Sequence, residues 1–92
     1  MEFEWDRTKA EQNLRKHGVA FEDAVDLFDD PRHLTQEGKI VGGEVRFKTT
    51  GHADPSALLT IIHVLRETAD GSVMRIISAR PASRRERRSY ER

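Results

Sequence analysis

From Ala57 to Leu65 the chain is apolar at every position except Thr60 and His63. The core of this run, Leu58 to Leu65, is apolar on both faces and reads as a strand through the middle of a sheet. Its neighbours read as strands too. Glu44 to Thr50 alternates, with Val45, Phe47 and Thr49 on one side and Glu44, Arg46 and Lys48 on the other. Asp70-Gly71 has the form of a tight hairpin turn, and Val73 to Arg80 follows until Pro81 breaks it. His33 to Thr35 is a weak fourth strand. Gln36 to Gly43 holds three glycines and reads as a loop or ragged hairpin, and Gly51 to Pro55 reads as a turn.

Helices flank this block. Asp6 is placed to cap a helix over Arg7 to His17, with Gly18 as its stop and Trp5 set to staple Ala10. Phe21, Ala24, Val25 and Phe28 recur at i, i+3, i+4 and i+7, which predicts a second helix ended by Pro31. Ser83-Arg84-Arg85-Glu86 is a capping box opening a short helix over Arg84 to Glu91. The expected class is α+β: two N-terminal helices, an antiparallel sheet of three to four strands and a short C-terminal helix, in one domain over residues 1–92.

Composition narrows the chemistry. With no cysteine, a disulfide framework, thiol catalysis and Cys-ligated metals are excluded. His17, His33, His52 and His63 show no metal-ligand spacing, and no phosphate-loop or zinc-protease motif is present, so no metal or cofactor is expected. Met1 to Ala10 is rich in charge and does not resemble a signal peptide, and no stretch approaches the roughly 20 apolar residues of a membrane helix. A cytoplasmic protein is expected. The formal net charge is zero, but residues 1–30 carry 9 acidic and 4 basic groups while residues 71–92 carry 2 and 7. That polarity suits a polyanion at the basic end, a basic partner at the acidic end, or self-neutralisation.

The remaining chemistry sits on the strands. If Val45, Phe47, Leu58, Ile62, Val64, Met74 and Ile76 turn toward the helices, then Arg46, Lys48, His63 and Arg75 share the opposite face. Guanidinium groups there offer forked donors to the charge that builds on phosphorus when a ribose 2′-hydroxyl attacks it, and His63 supplies a proton carrier near neutral pH. Glu44 is a partner or an alternative base. The plainer alternatives are a packed His63 and ion pairs of Arg46 and Arg75 with Glu44 or Glu37. Five arginines fall within Arg80 to Arg88, among them Arg84, Arg85 and Arg88; they suit phosphates, a solvated helix face or an acidic partner. Tyr90 is spaced either to stack on a base or to pack on the sheet.

Taken together, these motifs resemble one family. Phe3-Glu4-Trp5-Asp6, Lys9, Asn13, Lys16-His17-Gly18-Val19, Phe21 and Phe28-Asp29-Asp30-Pro31 are similar to the N-terminal signature of the BrnT toxins. Glu44-Val45-Arg46-Phe47 with Gly51 resembles the middle strand, and Arg75 to Arg80 with Ala82 to Glu91 resembles the C-terminal signature. Pro81 departs from the basic residue usual there. The resemblance implies a small RelE-like ribonuclease toxin of a type II toxin–antitoxin module. It implies RNA as substrate and a BrnA-like antitoxin with a ribbon-helix-helix domain in a 2:2 assembly that represses its own operon. The sites to examine are Glu44, Arg46, His63, Arg75 and Arg80 for catalysis and Lys48, Arg84, Arg85, Arg88 and Tyr90 for RNA. A second reading is a catalytically inactive module that scaffolds the DNA-binding antitoxin.

Overall fold

In the computed structural model, which describes residues 1–92, the two N-terminal helical segments lie on one face of a sheet and the C-terminal helix lies on the other. The strands are β1 (Glu2–Glu4), β2 (Leu34–Val41), β3 (Glu44–Asp54), β4 (Ala57–Thr68) and β5 (Gly71–Pro81), in the spatial order β1-β5-β4-β3-β2. The helices are α1 (Arg7–His17), α2 (Phe21–Ala24), which tightens into a 3-10 turn over Val25–Asp29, and α3 (Arg84–Glu91). No helix is long and apolar enough to cross a membrane.

Local chemistry sets these boundaries. The Asp6 carboxylate accepts from the Lys9 amide at 2.9 Å to start α1, and Gly18 ends it at φ 71°, a conformation that favours glycine. The capping box of α3 is complete: Glu86 N–H donates to Ser83 Oγ and Ser83 N–H donates to the Glu86 carboxylate. Asn13 fastens α1 to the sheet, donating to the carbonyls of Val19 and Ala79 and accepting from the Ala79 amide. Glycine at position 51 lets the 3-10 turn lie against β3, because a Cβ there would stand 3.1 Å from both the Leu27 carbonyl oxygen and His33 Cβ.

The α+β class matches expectation, but the second helix is α-helical only over Phe21–Ala24 before it tightens into the 3-10 turn, and the sheet is larger and mixed. It has five strands, because Glu2–Glu4 adds β1 parallel to β5. Gln36 to Gly43 is mostly strand: β2 pairs with β3 and accommodates its glycine through an irregularity between Glu37 and Ile40. Gly51 to Asp54 continues β3, and the reversal falls at Pro55-Ser56.

The face assignment along β4 also differs. The helix-facing core is Phe21, Ala24, Leu27, Leu59, Ile61, Met74, Ile76 and Ala79. Leu59, Ile61 and His63 therefore point to α1 and α2, while Leu58, Ile62 and Val64 point to the α3 side. A bulge then acts on β5. Ile62 pairs with Ser78 but His63 pairs with Ile76, so Ile77 is the extra residue. This extra residue puts Arg80 on the same face as Arg75, five positions away.

Candidate nucleic-acid interface

Four of the expected cationic residues occupy the α3 face of the sheet. Arg46 and Lys48 alternate with the helix-facing Phe47 on β3; Arg75 pairs with Val64 and Arg80 with Thr60 on β5. They differ in what holds them. Arg80 makes a bidentate pair with Glu86, Nη1 to Oε1 at 2.7 Å and Nη2 to Oε2 at 2.9 Å. Lys48 Nζ lies 3.2 Å from the same carboxylate, which also accepts from the Thr60 hydroxyl. The Glu86 side chain is 4% exposed, and this set of donors, the Arg80 guanidinium foremost, holds its carboxyl far below the usual carboxylate range. Arg80 and Lys48 thus secure α3 to the sheet.

Arg46 and Arg75 are freer. Arg46 forms no ion pair, and its buried Nε has no protein partner. Arg75 lies 3.8 Å from Glu4, whose carboxylate is mainly engaged by Arg66 at 2.6 Å. Neither pairs with Glu44 or Glu37. Glu44 is exposed at the start of β3, on the face of Arg46. A groove of about 370 Å³ beside Arg46 is lined by Lys39, Val41, Lys48 and Ile62. A second groove, about 240 Å³ and without an apolar wall, adjoins it through Glu37 and Lys48 and runs under Arg85 and Ser89 of α3. Arg84, Arg87 and Arg88 are exposed and pair with no acid. A larger hollow of about 500 Å³ lies between α1 and α2, away from these cations.

His63 is not among them. It sits on the helix-facing side at 4% exposure, with Nε2 2.8 Å from Thr49 Oγ1. Phe47 stacks on its ring at 5.9 Å and Phe28 meets it edge-on at 5.4 Å. Burial pushes its pKa down to about 4. The expected grouping of Arg46, His63 and Arg75 therefore fails at its imidazole. The physical reason is that a strand apolar on both faces gives no clue to which face holds its one polar ring. Tyr90 is corrected as well. It is 9% exposed, and its hydroxyl lies between two polar partners, so its ring is no open platform for a base.

Those partners are Asp30, which the sequence reading named only within the Phe28-Asp29-Asp30-Pro31 signature, and His52, which it left aside because Gly51 to Pro55 read as a turn. The Tyr90 hydroxyl donates to Asp30 Oδ2 at 2.5 Å and lies 3.0 Å from His52 Nδ1. Asp30 also accepts from the backbone amides of His52 (2.8 Å) and Arg32 (2.9 Å). These bonds, led by the His52 amide, hold its carboxyl at about 2. The Arg32 guanidinium lies 5.9 Å above the Tyr90 ring. His52 belongs to the α3 face of β3, as Arg46 and Lys48 do, and its side chain is 37% exposed.

The arrangement offers an open cationic sheet face, a flanking arginine helix and one accessible, oriented imidazole. No curated protein sequence matches the chain. The crystal structure of the Brucella abortus ribonuclease toxin BrnT superposes with a TM-score of 0.64 at 22% identity, covering 91% of this chain and 99% of that one. The fold is thus shared with that toxin. The family described as the ribonuclease toxin, BrnT, of type II toxin–antitoxin systems matches residues 5–86, nearly the whole chain, and the chain belongs to that family.

Proposed function

We propose that this chain is an RNA endonuclease that cleaves without a metal ion and inhibits translation in the cytoplasm. A BrnA-like antitoxin with a ribbon-helix-helix domain holds it inactive in a 2:2 complex, which binds operator DNA through the antitoxin and represses the operon. The observation that carries the catalytic part is the placement of Arg46 and Arg75 on one open face, neither fully neutralised by the fold. A 2′-oxygen attacking phosphorus puts negative charge on the phosphoryl oxygens, and two guanidinium groups can receive it directly. Lys48, Arg84, Arg85 and Arg88 extend the positive surface along α3. Arg80, bound on both its outer nitrogens by Glu86, acts by positioning α3. The exposed Glu44 is near the Arg46 end of this face and offers a carboxylate there.

The test is cleavage of a labelled RNA with EDTA present, alongside a cell-free translation assay. Wild type should cut and slow synthesis. Arg46→Ala and Arg75→Ala should each lower the cleavage rate roughly 10²-fold, with the circular dichroism spectrum retained. An inert wild type that still binds its antitoxin would favour the scaffold reading.

A further inference from the structure

We propose that the free edge of β2 receives an acidic, extended segment of the antitoxin, which adds a strand to the sheet and lays carboxylates against Lys39 and Arg46. This placement rests on the antitoxin and the cationic face of the reading above, and adds where the two meet and by what chemistry.

The two edges of the sheet are unequal. β1 has three residues. β2 has eight, pairs only with β3, and is exposed at seven of its eight positions. An antiparallel strand bonded on one side leaves alternate amides and carbonyls pointing outward. Such a row is a template for an extended peptide. A ribose-phosphate chain has no matching ladder of donors and acceptors, so this edge fits a protein.

Side chains on the two faces specify the peptide. Ile40 pairs with Val45, on the face of Phe47. Leu65 pairs with the core residue Met74 and lies on that same face. Ile40 is 70% exposed and Leu65 48%, with Val45 half-buried on the strand between them. An apolar row thus runs out to the edge. On the other face, Gly38, Lys39 and Val41 line the groove of about 370 Å³ beside Arg46. Neither Lys39 nor Arg46 has an acid partner. Glu37 pairs with Phe47 and faces the helix side, Glu44 bonds to neither cation, and Glu86 is taken by Arg80 and Lys48. Gly38 puts no side chain between the edge and Arg46. Two sheet steps, about 10 Å, separate an added strand from β3, a gap that a glutamate and an arginine close from either side. The fitting segment therefore alternates, apolar toward Ile40 and acidic toward Lys39 and Arg46.

A second copy of this chain is the wrong complement. Joining β2 to β2 would extend one cationic face into another and bring Lys39 toward its counterpart. The irregularity between Glu37 and Ile40, with Lys39 inside it, also opposes plain edge-to-edge pairing. A carboxylate on Arg46 occupies the place of the RNA phosphate, so antitoxin and RNA exclude each other.

The experiment compares the free chain with its purified antitoxin complex by amide hydrogen exchange. Residues 34–41 should exchange at least about tenfold more slowly in the complex. A carbodiimide, which joins an ammonium to a carboxylate in contact with it, should link Lys39 to an Asp or Glu of the antitoxin segment that is protected in the same measurement. Ile40→Glu should weaken the complex at least about tenfold while the free variant cuts RNA as wild type does. Leu14→Glu, at the hollow between α1 and α2, should bind as wild type. Unchanged exchange over 34–41, or a Lys39 that links to no antitoxin carboxylate, overturns the proposal. So does a complex weakened by Leu14→Glu and not by Ile40→Glu, which moves the antitoxin to the helical face. Protection of 34–41 in the free chain together with a dimer mass assigns the edge to a second copy, and equal protection by RNA with 2′-O-methyl ribose assigns it to nucleic acid; either overturns the proposal. A complex that behaves as expected around a chain that cuts no RNA sinks the ribonuclease reading alone. A chain that forms no complex with the antitoxin sinks the partner reading and this proposal together.

Discussion

With Phe47 stacked on one side, Phe28 edge-on and Thr49 at Nε2, the His63 ring is enclosed at 4% exposure. Its Nδ1 is buried without a partner. Charging the ring would put an N–H on that nitrogen with no acceptor, on top of the cost of burying the charge. Its pKa accordingly falls from 6.5 to about 4. Below the unfolded value the unfolded chain binds a proton that the native chain refuses. Stability contributed by the neutral ring is therefore full above pH 6.5 and declines as pH falls toward 4, by up to about 3 kcal/mol. Asp30 acts in a lower window. Its carboxyl is depressed from 3.8 to about 2, so its contribution is present above 3.8 and is lost only as pH falls from there toward 2. Urea denaturation of wild type and His63→Gln at pH 4.5, 5.5, 6.5 and 7.5 separates the two. The wild-type curve should slope between 6.5 and 4.5 and the variant should slope far less, its remaining fall near 4.5 coming from depressed carboxyls such as Glu86. An equal slope in both would place the titrating group elsewhere.

At the scale of elements, α3 is held by charge more than by grease. Its sheet-facing residues are Glu86 and Tyr90, one turn apart, each tied by polar contacts to strands that do not precede it directly. Glu86→Gln keeps the shape but breaks the bidentate pair and leaves Arg80 and Lys48 without a counter-charge. Breaking a buried pair costs about 3–5 kcal/mol; both cations are about one-third exposed and can turn to water, so about 3 kcal/mol is expected. In a thermal melt that is a fall in Tm of about 15 °C. A drop of only a degree or two would mean the hub is replaceable by its backbone bonds. The helix itself was legible in the sequence, since a capping box states its own start. The cations were legible too, because alternation on β3 is unambiguous from Glu44 to Thr50. Three things were not. A three-residue β1 with one apolar side chain, Phe3, has no periodicity to detect. The parity of β4 is undetermined when Leu58, Leu59, Ile61 and Ile62 are all apolar, and that ambiguity misplaced His63. A strand that runs through Gly51 looks like a turn until the 3-10 segment packed against it is seen, and that concealed His52.

On the whole molecule, the charge asymmetry of the chain is only partly cancelled by folding. The parallel pairing of β1 with β5 brings Glu4 to Arg66 and Arg75, so acid from the first residues meets base on the sheet. No comparable acid reaches Arg46 or the exposed arginines 84, 85, 87 and 88 of α3. A net charge of zero therefore coexists with a positive face, and the binding of a polyanion to that face should depend steeply on salt. The slope counts phosphates: each one neutralised on a single strand contributes about 0.7 to the fall of log K with log salt. An RNA with 2′-O-methyl ribose, which cannot supply the attacking hydroxyl, permits the measurement at equilibrium. Arg46→Ala/Arg75→Ala should reduce the slope by about 1.4. Arg15→Ala/Lys16→Ala, which removes the same charge from the end of α1 on the opposite side, should leave it unchanged. If the α1 pair lowers the slope and the sheet pair does not, the nucleic acid runs over the helical face and the cationic sheet has some other partner. If affinity falls with the sheet pair at constant slope, the arginines act through the fold and not through phosphate.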